Sequence, residues 1–310
     1  MCALNKVKGM DLTMNYYNEI REQFINNEIY KKVKDYSKNR SDLQTYYNVG
    51  KLLVEAQGGE ERAKYGDGLI KEYSIKLTLE LGSGYSTRSL KNMRKFYLFQ
   101  KGQPLDAQLT WSHYVILLSL KNNNEINYYI RQIKIKNLSK RDLQKIIKNK
   151  EYQRLDENTK NKLINKQEEK IEDFIKNPIL IKNSYDEEIS EKMLKKLILE
   201  DIDNFLKELG NGFCYIESEY KIKMDNTFNY MDLLLFNIEY NCYVVIELKI
   251  GELRKEHIGQ IQVYMNYIDE NLKKISHDKT IGIIICKRNN RYVIKYCSDN
   301  RIISREYEFV

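Results

Sequence analysis

The sequence predicts a two-part fold: a basic, mainly helical module followed by an α/β sandwich built on a small central sheet. Three observations predict it. From residue 15 to about 150 the apolar residues recur at helical spacing. After Gly210 the period shortens to that of strands, in FCYIESEYKIK, YMDLLLFNI and CYVVIELKIG. The charge also divides: residues 1–150 hold 27 Lys and Arg against 15 Asp and Glu, and the rest hold 25 against 29. We read a helical domain over 15–150, a charged helical linker over 151–185 and a sheet-bearing domain over 186–310.

In the first module, Leu43, Tyr46, Tyr47, Val49 and Leu53 mark a helix over 42–55, which Gly58 and Gly59 end. A second helix over 69–81 stops at Gly82 and Gly84. Ser86 is placed to cap a third, with Leu90, Met93, Phe96 and Tyr97 on one face and Arg88, Lys91, Arg94 and Lys95 on the other. LTWSHYVILLSL follows Pro104 as a short apolar helix with Trp111 and His113, residue types that pack more often than they react. INYYIRQIKIKNLSKRDLQKIIKNK then reads as a basic helix, turn and helix. Short helices with a basic exposed face suit a helix-turn-helix or winged-helix DNA-binding module.

In the last module the expected order is α-β-β-β-α-β-β. EISEKMLKKLILEDIDNFLKELG reads as one amphipathic helix stopped by Gly210. Turns at Asp225-Asn226 and Glu239–Asn241 divide the three strands. A helix runs from Lys255 to about Ile275, and TIGIIICK and RYVIKYC are read as closing strands.

With 42% hydrophobic and 31% charged residues, the chain belongs to the ordered, element-rich class and not to the disordered one. No uncharged apolar run approaches the roughly 20 residues that span a bilayer, so a cytoplasmic protein without membrane contact is expected. Five cysteines (Cys2, Cys214, Cys242, Cys286, Cys297) show no CxxC pair and read as buried thiols of a reducing cytosol, with neither a disulfide framework nor a zinc site.

The chemistry concentrates in Asp232, Glu247 and Lys249. Side chains repeat every two residues along a strand, so Glu247 and Lys249 in VVIELKI share a face. If YMDLLLFN and CYVVIELKIG pair as a hairpin, Asp232 comes beside Glu247. Two carboxylates among apolar residues repel unless a cation joins them, and hard oxygen donors select Mg²⁺ or Mn²⁺. A lysine beside such an ion can orient or help deprotonate water and offset phosphate charge. An ordinary exposed ELK tripeptide is the bland alternative; the apolar run around it argues for a buried pair that needs a partner.

The spacing D-(15)-E-x-K resembles the PD-(D/E)xK nuclease superfamily, with Met231 where the superfamily has proline. FLKELGNGF, YMDLLLFN, CYVVIELKIGEL and GQIQVYMNYID resemble the YhcG-type PDDEXK nucleases more closely. So do YYNVGKLL, YGDGLIKEYSIKL, GYSTRSLKNMRKFY and LTWSHYVILL, which are similar to that family's winged-helix-like domain. The resemblance implies a restriction-endonuclease-like second domain. It gives Asp232, Glu247, Lys249 and Gln260 catalytic roles, with Glu200 joining Asp232 and Glu247 as a metal ligand. It also implies Arg88, Lys91, Arg94 and Lys95 as nucleic-acid contacts, and a DNA-cutting enzyme of genome defence or mobile-element control. A homo-oligomer and other subunits of a defence system are the protein partners it suggests. A silent DNA-binding scaffold subunit and an RNA-directed nuclease are the alternative readings.

Overall fold

The structure is a computed structural model that describes residues 15–27, 38–59, 67–106, 108–183, 189–224, 226–297 and 299–310. It divides into two compact units, 1–149 and 150–310. Cys2, Asp225 and the side chain of Cys297 lie outside the described residues.

The first unit is helical. It contains α1 (15–27), α2 (Lys38–Ala56), α3 (Asp67–Leu81), α4 (Thr87–Gln100), α5 (Trp111–Leu117), α6 (Asn123–Lys136) and α7 (Lys140–Lys148). Its core gathers Tyr17, Ile20 and Phe24 with Val49, Leu53, Tyr73, Leu77, Leu90 and Met93. Gly50 lets α2 and α4 approach: a Cβ there would meet the Met93 carbonyl oxygen at 2.2 Å and the Tyr97 Cβ at 2.8 Å. Ser86 caps α4 as expected, accepting the Ser89 N–H. Trp111 packs between Tyr46 and Phe96, with centroids at 4.6 and 5.5 Å. His113 is buried and completes the Thr110 capping box of α5. Among the described residues of this unit there is no strand, so the hairpin that would make a wing is not seen there.

The second unit starts earlier than the sequence reading places it. Residues 151–183 are part of it: α8 (Glu157–Asn165), α9 (Ile171–Phe174) and β1 (Ile179–Ile181). Next come α10 (Glu191–Glu200), α11 (Ile202–Leu209), β2 (Phe213–Met224), β3 (Thr227–Asn237), β4 (Cys242–Glu252), α12 (Lys255–Asn271), β5 (Ile281–Arg288), α13 (Arg291–Cys297) and β6 (Ile302–Phe309). The sheet order is β1-β6-β5-β4-β3-β2. Pairing is parallel from β1 to β4 and antiparallel from β4 to β2. One face carries Leu233, Leu235, Val244, Ile246 and Leu248 against α10 and α11. The other carries Leu234, Val245 and Ile284 against Ile258, Ile261 and Met265 of α12. A Cβ on Gly282 would lie 2.6 Å from the Met265 sulfur and 2.9 Å from Ile261 Cδ1, so the glycine lets these side chains of α12 sit close on β5.

Three expectations change. RYVIKYC is helix α13 and not a strand: the Asn290 side chain accepts the N–H groups of Tyr292 and Val293, which starts a helical turn. Val293 and Ile294 then pack on the α12 side of the sheet. The last strand is IISREYEF, parallel to β5. The expected long helix before Gly210 breaks at Asp201, whose φ of −131° and ψ of 46° separate α10 from α11. Cys242 and Cys286 are buried as expected, whereas Cys214 is exposed on the edge strand.

Candidate active site

β3 and β4 pair from Asn237↔Cys242 up to Leu233↔Ile246 and then part. The next pair in that register is Asp232 and Glu247, so the two carboxylates face the point of divergence. The Asp232 Oδ2 accepts the Leu248 backbone N–H at 2.9 Å and continues the ladder by a side chain. β4 carries on beside β5, which holds Glu247 and Lys249 opposite Ile284 and Cys286. The site therefore lies towards the C-terminal end of a parallel strand, where open α/β sheets place ligands.

Glu247 is 1% exposed. Its Oε2 accepts a hydrogen bond from the Lys249 ammonium at 3.2 Å. Its Oε1 is buried and has no hydrogen-bond partner, an orphan that native interiors rarely keep without a purpose. Burial, reinforced by the Asp232 charge, pushes the Glu247 carboxyl up to about 7. Burial alone would depress the Lys249 ammonium, but the carboxylates of Glu247 and Glu191 outweigh it and hold it above its ordinary value.

α10 brings two groups to the site that the sequence reading misses. The Lys195 ammonium bridges Asp232 Oδ1 at 3.2 Å and Glu219 at 2.8 Å. Glu191 Oε2 lies 3.6 Å from the Lys249 ammonium. These two residues are four apart, one helical turn, and share a face. That periodicity is present in the sequence, but which face meets the sheet is not. His257, in the first turn of α12, is a third. Its Nδ1 accepts the Arg254 N–H, and its basicity is lowered by burial and by the Lys249 charge.

Two assignments made by resemblance are not brought into the site. Glu200 ends α10 nine residues after Glu191, which at 100° per residue turns it about 180° away. It is exposed and lies 3.7 Å from Lys196. Gln260 donates to the Tyr264 hydroxyl at 3.1 Å, within its own helix, and not to Asp232, Glu247 or Lys249. In the first unit, Arg88 and Lys95 are exposed, while Lys91 is half-buried and Arg94 donates to Gln57 at 3.1 Å.

The donors around the orphaned Glu247 oxygen are carboxylates, the kind a hard divalent cation takes. Among the described residues no group of three or more His, Cys, Asp or Glu is arranged to hold a metal. A cation here would rest on Asp232 and Glu247 and complete its shell with water or substrate, the habit of Mg²⁺. The residues present fit such an ion. Among the described residues, no helix is long and apolar enough to cross a membrane.

Residues 172–308 match the YhcG PDDEXK nuclease domain, and residues 22–154 match the DUF1016 N-terminal domain. The chain is 27% identical over 308 residues to a protein of Escherichia coli (strain K12) named "Putative nuclease YhcG", covering 85% of this chain and 82% of that one. Among solved structures, a repair endonuclease from Pyrococcus abyssi aligns at 21% identity and a TM-score of 0.28 over 40% of this chain and 49% of its own. An EndoMS complex with double-stranded DNA aligns at 17% and 0.28, over 41% and 48%. The chain thus spans about half the length of those solved structures. With a DUF1016 N-terminal domain followed by a YhcG PDDEXK nuclease domain, and Asp232, Glu247 and Lys249 gathered in the latter, the chain belongs to the YhcG-type PDDEXK nuclease family.

Proposed function

We propose that this chain is an Mg²⁺- or Mn²⁺-dependent nuclease that hydrolyses phosphodiester bonds of DNA. The observation that carries the reading is Glu247: a fully buried carboxylate with one orphaned oxygen, next to Asp232 and capped by Lys249. Asp232 and Glu247 would hold the divalent ion, which when bound supplies Lewis acidity and positive charge for attack by water. Asp232 is held for this by the Leu248 N–H, and Glu247 is itself shut away from bulk water. Lys249, whose ammonium lies 3.2 Å from Glu247 Oε2, would donate to phosphate oxygens or orient the attacking water. The excess of Lys and Arg in residues 1–150 favours nucleic acid as the polymer held, with the exposed Arg88 and Lys95 as contacts. A role in genome defence is part of this proposal and rests on the family alone.

The test is cleavage by the full chain of linear, circular, branched and single-stranded DNA, and of RNA. Mg²⁺, Mn²⁺ or chelator is supplied in parallel, beside Asp232→Asn and Lys249→Ala. Cutting that needs the metal and is lost in both variants supports the proposal. Cutting that survives chelator or both substitutions overturns it, and binding without cutting on every substrate moves the reading to a silent scaffold.

A further inference from the structure

Past Leu233 the hairpin of β2 and β3 leaves the rest of the sheet: residues 227–231 of β3 pair with β2 alone. The hairpin is therefore a two-stranded arm rooted at Asp232. Its two faces differ sharply. One presses Ile222 and Met231, both 0% exposed, into the α12 side of the core. The other leaves Phe228 and Tyr230 more than half exposed, at 54% and 52%. Cross-strand from them stand Lys223 and Lys221, both exposed. The Lys221 ammonium sits 3.9 Å from the centre of the Phe228 ring. Tyr230 and Phe228 stand two and four residues from Asp232 on β3, which places the rings about 7 and 13 Å along the strand from the carboxylate. At the root, Glu219 is paired with Lys195, so among the described residues the open face keeps the charge of the two arm lysines.

We propose that this arm binds an unpaired stretch of the nucleic acid beside the scissile phosphate, its lysines on the backbone and its rings against bases. Exposed aromatics stack on bases of any identity, but only on bases whose faces are uncovered. In a duplex those faces are taken by the neighbouring pairs. The substrate class is thus a single strand, an overhang or a branch, and plain duplex is the weaker ligand. The inference rests on the nuclease reading for its substrate but not for its measurement, since binding needs no cutting.

The experiment measures fluorescence anisotropy of the full chain in chelator, with labelled single-stranded, overhanging and blunt duplex oligonucleotides of DNA and of RNA. Phe228→Ala with Tyr230→Ala is compared with Phe228→Trp with Tyr230→Trp, and melting curves establish that each variant is folded. Loss of two stacking platforms is expected to weaken binding of the single-stranded and overhanging probes by about tenfold or more. Duplex binding should stay within about twofold, and the tryptophan pair should restore the rest. Equal losses on all probes, no loss on any, or a change in sedimentation of the free chain with unpaired-strand binding intact would overturn the proposal. The last outcome would make the face a contact between copies. A chain that binds through the arm yet cuts nothing retains this inference and loses the nuclease reading; one that cuts while ignoring the arm substitutions does the reverse.

Discussion

One carboxylate oxygen of Asp232 accepts the Leu248 backbone N–H at 2.9 Å, at the place where β3 and β4 stop pairing. The carboxylate thus has a structural task as well as a chemical one, and substitutions separate them. Asp232→Asn keeps an acceptor for Leu248 and is expected to hold stability within about 0.5 kcal/mol. Asp232→Ala leaves that N–H unpaired and should cost about 1–3 kcal/mol in denaturant unfolding. Both should lower cleavage by at least about a hundredfold. Wild-type cleavage by Asp232→Asn would remove the carboxylate from the chemistry.

Glu247 sets a pH dependence of the metal-free protein. Its folded carboxyl titrates at about 7 against an ordinary 4.5, so the buried acid is tolerated and the buried anion is not. Stability from this group is fully present below pH 4.5 and declines as pH rises through about 7. Glu247→Gln should therefore melt close to wild type at pH 5 and above it at pH 8. The gap should be about 2–3 kcal/mol, since each tenfold change in proton affinity on folding is worth about 1.4 kcal/mol. Melting curves in chelator from pH 5 to 8 measure it, and a gap that does not widen with pH contradicts the burial argument.

Lys195 holds an ammonium 3.2 Å from Asp232 Oδ1, on the carboxylate that would bind the cation. Removing that charge should strengthen the field felt by a divalent ion. Lys195→Met is expected to tighten Mn²⁺ binding about three- to tenfold in calorimetric titration, and less so in high salt. Unchanged or weaker affinity would show that Lys195 orders Asp232 more than it competes for it.

The trio is legible in the sequence because its signal is local: strand period fixes Glu247 and Lys249 on one side, and apolar neighbours announce burial. Lys195, Glu191 and His257 are not, because their place depends on where α10 and α12 land against the sheet, and that is a long-range matter. Helix α13 reads as a strand because RYVIKYC shares the β-branched residues of VVIELKI and adds two tyrosines; Asn290 decides it by capping a helical turn. β6 escapes the strand pattern because Ser304, Arg305 and Glu306 break the apolar run. In the fold, Arg305 is half-buried and donates to the carbonyls of Glu172 and Ile175.

The geometry of α10 makes a distinction between two glutamates. Glu191 faces Lys249, whereas Glu200 points about half a turn away. Glu200→Ala is expected to keep cleavage within about twofold, as for an exposed surface pair. Glu191→Ala should lower kcat more than it raises KM, because it disturbs the placement of the Lys249 ammonium. Equal losses in both variants would place Glu200 in the site after all.

Ahead of β1, Arg154 forms a buried bidentate pair with Glu208, which also accepts the Leu180 N–H of β1 at 3.1 Å. Burial would raise the Glu208 carboxyl, yet Arg154 and Lys176 hold it below its ordinary value. Arg154→Ala strands that anion and should destabilise the second unit by about 3–5 kcal/mol, a large part of a domain's about 5–15 kcal/mol. The same contacts imply a boundary: a fragment of residues 150–310 should fold, and one of 186–310 should not. The shorter one lacks Arg154 and the Ile179 and Ile181 side chains that cover the core beside β6. Circular dichroism and hydrogen exchange on the two fragments decide it, and a cooperative melt from residues 186–310 alone would return 151–185 to the role of a linker.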